Sequence, residues 1–129
     1  MTGRYIMTKR NTGVLLRLKR QEKKYTLEMT AKAVGVSINY IAKLEKGENS
    51  NPSDEIIVKL AETLELDEDE LFRSFRKIPL STRKALEQHP TLSVAISQIN
   101  SDTDLSEDKK EEFLKKIIYW YKKIVDEDD

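Results

Sequence analysis

Asn39, Lys43 and Lys46 lie on one side of a short stretch, Ser37 to Gly47, whose other side carries Ile41 and Leu44. On a helical wheel of about 100° per residue with Ile41 at zero, Ser37, Leu44 and Glu45 fall within about 60° of it. Asn39, Ala42, Lys43 and Lys46 fall between about 100° and 200°, and Ile38 and Tyr40 take the flanks. An Asn amide bonds an adenine edge bidentately, and a Lys ammonium reaches guanine acceptors or a phosphate. A helix that anchors two aliphatics and presents an amide and two ammoniums has the chemistry to read a DNA groove. An ordinary solvated face uses the same residue types, so the assignment depends on what surrounds the helix.

The surroundings are those of a helix pair. Tyr25 to Gly47 reads as two short helices and a tight turn. The first starts near Thr26 and ends at Val34, with Leu27, Ala31 and Val34 in one row at i, i+4 and i+7. Gly35 supplies the turn, where a positive φ is needed. Val36 points inward, Ser37 is an N-cap for the second helix, and Gly47 closes it. Such a pair is too short to bury its own apolar face and requires flanking helices. Upstream, a helix is expected from Asn11 or Thr12 to about Lys23. Its apolar face would be Val14, Leu15, Leu16 and Leu18, and its basic residues Arg17, Lys19, Arg20, Lys23 and Lys24. Residues 1–10 form an arm whose Arg4, Lys9 and Arg10 either follow phosphates or lie unstructured. Downstream, GENSNPS is a loop in which Asn49, Ser50 and Asn51 can donate to phosphate oxygens. Ser53 then caps a helix to about Leu64 with Ile56, Ile57, Leu60, Ala61 and Leu64 on its core face. Asp67 to Glu70 opens the next helix as caps rather than metal ligands, and Leu71, Phe72 and Phe75 anchor it.

Composition agrees with an all-α chain. Of 129 residues 36% are charged and 38% hydrophobic, with only 4 Gly and 3 Pro. No apolar run approaches the length of a membrane span, and the N-terminus lacks a signal-peptide core. Without Cys there is no thiolate metal site, and His89 is the single His, so no metal and no cofactor is expected. No Ser–His–acid set and no phosphate-binding Gly-rich loop marks an enzyme. The net charge of zero hides an asymmetry. Residues 1–52 hold 11 Lys/Arg and 4 Asp/Glu, a charge of +7, while residues 53–129 hold 12 and 19, a charge of −7. The basic half is the half with the helix pair, which is the electrostatic footprint of nucleic-acid binding. These features together point to a cytoplasmic DNA-binding protein.

Residues 13–72 resemble the helix–turn–helix module of the phage Cro/C1 repressor type, the XRE family. The resemblance rests on Thr26, Ala31, Gly35-Val36-Ser37, Ile41, Leu44-Glu45-Lys46-Gly47, Pro52, Leu60-Ala61, Leu64 and Leu71 at the family's spacing. Two positions depart from it: Leu27 stands where a backbone-contacting Gln is frequent, and Thr30 where a core Leu is usual. The resemblance implies a five-helix, lambda-repressor-like domain that binds a twofold operator in double-stranded DNA as a dimer. It places base reading on Ile38, Asn39 and Lys43. Thr26, Ser37, Tyr40, Lys46, Asn49, Asn51 and Arg17 would support them or contact phosphates. It also pairs Glu45 with an Arg of the first helix, here Arg20; a partly buried carboxylate needs such a partner.

The rest of the chain reads as a helical segment for self-association. Pro79 ends the fifth helix or its extension, Ser81 caps a short helix to Gln88, and His89-Pro90 stops it. Thr91 to Ile99 is a second short helix, and Ser101 to Asp108 a loop. Residues 106–125 are a long helix capped by Ser106. Phe113, Ile117, Trp120 and Ile124 make one stripe on it; Leu114, Ile118, Tyr121 and Val125 make another. That apolar arc of about 160° exceeds what a small domain covers, and it marks a partner face. Phe113, Ile117, Trp120, Tyr121 and Ile124 are the oligomerisation residues expected of a homodimer or higher homo-oligomer; folding back on residues 80–100 is the alternative. The layout also resembles XRE members whose C-terminal helices self-associate and bind a small antagonist protein or peptide. Tyr25-Thr26-Leu27 and Asn51-Pro52-Ser53 carry that likeness, and the middle segment does not. The expected organisation is an arm over 1–10, a DNA-binding domain over 11–76 and an oligomerisation or partner-binding segment over 77–129. The expected function is a transcriptional regulator that represses by blocking polymerase. An antitoxin that masks a toxin and regulates its own operon, or a protein-interaction adaptor, are the alternatives.

Overall fold

The computed structural model describes residues 9–48 and 51–127, and within them every regular element is a helix. These are α1 (Lys9–Glu22), α2 (Leu27–Val34), α3 (Ile38–Glu45), α4 (Asp54–Leu64), α5 (Glu68–Ser74), α6 (Leu80–Gln88), α7 (Pro90–Ser101) and α8 (Glu107–Glu127). Arg4 and the rest of residues 1–8, together with Asn49 and Ser50, lie outside the described residues. The chain divides into two compact units, residues 1–83 and 84–129. No described helix is long and apolar enough to cross a membrane.

Short polar side chains set the helix starts in the first unit. Thr26, Ser37, Ser53 and Asp67 each accept a hydrogen bond from the backbone N–H three residues on, and begin α2, α3, α4 and α5. The core is one cluster. Leu16 of α1, Ala31 and Val34 of α2, and Ile41 and Leu44 of α3 meet Ile57, Leu60, Ala61 and Leu64 of α4 and Leu71 and Phe72 of α5. Thr30, at the position of a usual core Leu, is fully buried, and its hydroxyl donates to the Thr26 carbonyl at 3.0 Å. The substitution therefore leaves no unpaired polar atom in the core.

α1 differs from expectation in two ways. It begins at Lys9, ahead of the expected Asn11–Thr12 start, so Lys9 and Arg10, expected in the arm over 1–10, belong to the helix. Thr12 is buried inside the helix and its hydroxyl donates to the Ser74 carbonyl. Of the expected apolar face, Leu16 is buried, but Val14 and Leu18 are 47% and 58% exposed. The reason is Gly13. A Cβ there would stand 2.5 Å from the carbonyl oxygens of Leu44 and Glu45, so the helix approaches α3 through its glycine. Thr12, Gly13, Leu16 and Arg20 face inward as a consequence, and Val14 and Leu18 are turned out.

Two further starts are corrected. Ser81 does not cap α6; it lies within the helix, which opens at Leu80, and its hydroxyl donates to Asp69 at 2.8 Å. Pro90 does more than stop α6: it occupies the first turn of α7, where its fixed φ and missing N–H cost nothing. In the second unit Ser106 caps α8, accepting from the Lys109 amide. The start of α8 is tied to the end of α7 by Lys110, which donates to the Asn100 carbonyl at 2.9 Å, and Ile96, Ile99 and Leu114 line one open cleft there. Phe113, Ile117, Trp120, Tyr121 and Ile124 are all 46–66% exposed, and no described side chain from Lys84 to Asp126 is buried.

The contact at Gly13 gives a prediction of definite sign. Alanine is the better helix former by about 1 kcal/mol, so propensity alone predicts that Gly13→Ala stabilises. The steric overlap predicts a loss of roughly 2 kcal/mol instead, and a melting midpoint lower by on the order of 10 °C. A thermal melt followed by circular dichroism decides between them.

Candidate nucleic-acid interface

The helix pair is closed by its turn. Gly35 takes φ 87°, and the amides of Gly35 and Val36 both donate to the Ala31 carbonyl. Ser37 then starts α3, its Oγ accepting from the Tyr40 amide at 3.0 Å. Thr26 does the same for Met29 at the start of α2. Each hydroxyl acts as acceptor to its helix, and its own O–H proton is available for a phosphate oxygen.

α3 has two sharply different sides. Ile41 and Leu44 are buried, whereas Asn39, Lys43 and Lys46 are exposed and Ala42 lies between them half-buried. Ile38, in the first turn, is 47% exposed. Tyr40 is half-buried and packs on the edge of the core. The helix ends at Gly47, with φ 76°, and the Gly47 and Glu48 amides donate back to Leu44 and Lys43.

One ion pair fixes this helix to α1. Arg20 Nε and Nη2 donate to the two carboxylate oxygens of Glu45 at 2.6 and 3.0 Å, and Nη1 donates to the Tyr25 carbonyl at 2.9 Å. The side chains are only 12% and 8% exposed. The Glu45 hydrogen bond raises the Arg20 pKa above its ordinary value, against the desolvation that lowers it. The guanidinium thus ties the end of α3 to α1 and, through Tyr25, to the entry of α2.

The remaining candidate residues surround this frame. Arg17 is exposed on α1, and Asn51 is exposed ahead of the buried Pro52. Ser53 caps α4, accepting from the Ile56 amide at 3.3 Å. Two structural features carry little sequence signal. Gly13 shows only as a lone glycine inside a helical pattern, a known sign of close approach. The cluster of Asp54 with Lys77 and Arg83 joins residues 23 and 29 positions apart, which no local spacing reveals.

Residues 16–71 match the helix-turn-helix family model. The matched segment is somewhat under half of the chain and runs from within α1 to within α5, with the α2–α3 pair at its centre. The HTH-type transcriptional regulator SlrR of Bacillus subtilis (strain 168) is 40% identical to it over 60 residues, which are 46% of this chain and 40% of SlrR. The chain therefore spans well under two thirds of that curated relative. The restriction-modification controller protein C.AhdI from Aeromonas hydrophila, a crystal structure, is 33% identical with a TM-score of 0.45, over 50% of this chain and 96% of its own. SinR, a master regulator for biofilm formation solved in complex with DNA, is 28% identical with a TM-score of 0.44, over 47% of this chain and 97% of the solved one.

In this helix-turn-helix domain the Arg20–Glu45 pair predicts a stability effect rather than a change of specificity. Arg20→Ala leaves Glu45 buried without its partner and should cost about 3 kcal/mol. The base preference of whatever remains folded should stay the same. An unchanged thermal melt would contradict the role given to the pair.

Proposed function

We propose that this protein is a sequence-specific, double-stranded-DNA-binding transcriptional regulator that represses by occupying a twofold operator. The observation that carries the reading is α3 itself. It is fixed by Ser37 at its start, by Glu45 at its end and by Ile41 and Leu44 beneath, and it presents Asn39, Lys43 and Lys46 to solvent. A rigid helix with an amide and two cations on its free face suits the major groove. Asn39 would bond adenine and Lys43 guanine, and exposed Ile38 would meet a thymine methyl. Thr26, Ser37, Tyr40, Lys46, Asn51 and Arg17 would hold the phosphates, as would Asn49, which lies outside the described residues.

The C-terminal segment supplies self-association in this reading. A unit of this size with no buried side chain has no core of its own, and burying each large apolar side chain is worth roughly 1.5–3 kcal/mol. Phe113, Ile117, Trp120, Tyr121 and Ile124 of α8 would be covered by a second copy, giving a dimer or higher oligomer matched to a two-half operator. A small antagonist protein or peptide would compete for the same face. A DNA-binding regulator of this kind would work in the cytoplasm. The same uncovered segment supports a second reading, an antitoxin whose C-terminal half masks a toxin; co-purification of a second small protein would favour it. The exposed Lys43 and Lys46 speak against an adaptor that has lost DNA binding.

Selection from a random duplex library at fixed salt tests the reading. A palindromic motif is expected. Asn39→Ala should relax one position in each half-site and weaken binding by about 1–3 kcal/mol. Lys46→Ala should weaken all sequences alike and reduce the salt slope by about 1. Ile117→Asp with Trp120→Asp should abolish operator binding at low concentration and shift sedimentation toward the monomer. A folded protein that enriches no motif would overturn the assignment.

A further inference from the structure

The residues immediately before α4 are fastened by a cluster outside the recognition helix. Asp54, in the first turn of α4, accepts from Arg83 Nη1 at 2.8 Å and Nη2 at 3.3 Å, and from Lys77 Nζ at 3.2 Å. Lys77 also donates to the carbonyl of Pro52 at 2.9 Å. Arg83 donates from Nε to the Ile78 carbonyl at 2.9 Å, and its guanidinium stands 5.9 Å from the Phe72 ring centre. Two cations from the α5–α6 connection and α6 thus grip the residues on either side of Ser53, immediately after Asn51. The hydrogen bonds from Arg83 and then Lys77 hold the Asp54 carboxyl below its usual range. The three side chains are 24–39% exposed, so as a surface cluster they add little to global stability. Asp54 also lies in the first turn of α4, where an acid suits the helix dipole, and its two cationic partners come from outside that helix.

We propose that Asp54 is a positioning residue for DNA binding: gripped by Lys77 and Arg83, it fixes to α6 the described residues Asn51 to Ser53 ahead of α4, so that binding strength depends on α6 being seated. The inference rests on the DNA-binding reading above. α6 is also where the first unit gives way to the second, so a partner that draws α6 off its seat would loosen these residues and weaken the operator complex. Arg83 acts through Asp54, and Lys77 through Asp54 and the Pro52 carbonyl, rather than on phosphate.

The test is Asp54→Asn in the full chain, because electrostatics and positioning predict opposite signs. Removing an acid from a DNA-binding surface strengthens binding by simple charge. The clamp predicts weaker binding, by about fivefold, with the selected motif and the thermal midpoint unchanged. Arg83→Gln should weaken binding to a similar degree, and the double variant no further, because both break one contact. The salt slope should stay constant in Arg83→Gln; a fall of about 1 would mean that Arg83 touches phosphate and would overturn the proposal. Unchanged or tighter binding by Asp54→Asn would also overturn it. Amide exchange without DNA separates this failure from failure of the function itself. The amides of residues 54–57 should exchange faster in both variants, and unchanged exchange would sink the clamp even if no operator were found. A wild-type chain that selects no sequence would instead overturn the DNA-binding reading.

Discussion

An eight-residue helix does not hold its shape in water, and the structure of this domain follows from the need to fix one. α3 is fixed at each end by a different interaction. Ser37 supplies the missing acceptor at its start, and the Arg20–Glu45 pair ties down its end. The second depends on distance: the guanidinium meets the carboxylate with both forks because α1 comes close enough, and it comes close enough because residue 13 has no side chain. Leu16 then enters the core, and α4 and α5 complete it from the other side. The free face of α3 is a consequence of how thoroughly the rest is engaged.

The two halves of the chain solve opposite problems. Residues 1–52 carry a charge of +7, and the core that α1 to α3 share with α4 and α5 holds the cationic face of α3 in one orientation. Residues 84–126 have a capped α8 joined to α7 through Lys110 and Asn100, yet bury no described side chain. A rigid first unit gives geometry to groove reading. In the function proposed above, an uncovered second unit would leave the choice of partner, and so the oligomer, to concentration and competition. Affinity for a two-half operator would then be a regulated quantity, since pairing two domains adds their contacts without altering either one.

Much of the first unit was legible because its signals are local. Thr26, Gly35, Ser37, Ser53 and Asp67 each act within three or four residues, and the caps and turn stand where those residues predict them. The row Ile41–Leu44 against Asn39–Lys43 follows from periodicity alone. Long-range packing was not legible in the same way. Val14 and Leu18 look like core residues by composition, but the close approach at Gly13 turns α1 by its opposite side, and the pattern of leucines does not carry that rotation. Thr12 looks like a helix start and Ser81 like a cap, and they are instead joined to Ser74 and Asp69, partners 62 and 12 residues away. The grip on Asp54 is of the same kind. The base-reading roles of Ile38, Asn39 and Lys43 stand on the resemblance and on the exposure of these side chains, and DNA chemistry has to judge them.

Methylation interference on a selected operator, with the intact protein, tests the central claim most directly. It reports which groove the protein reads: dimethyl sulfate marks guanine N7 in the major groove and adenine N3 in the minor groove. The account predicts that guanine N7 methylation blocks binding at two symmetric clusters, about 10 base pairs apart from centre to centre. Interference confined to adenine N3, or none at any guanine N7 of a bound operator, would contradict a recognition helix in the major groove.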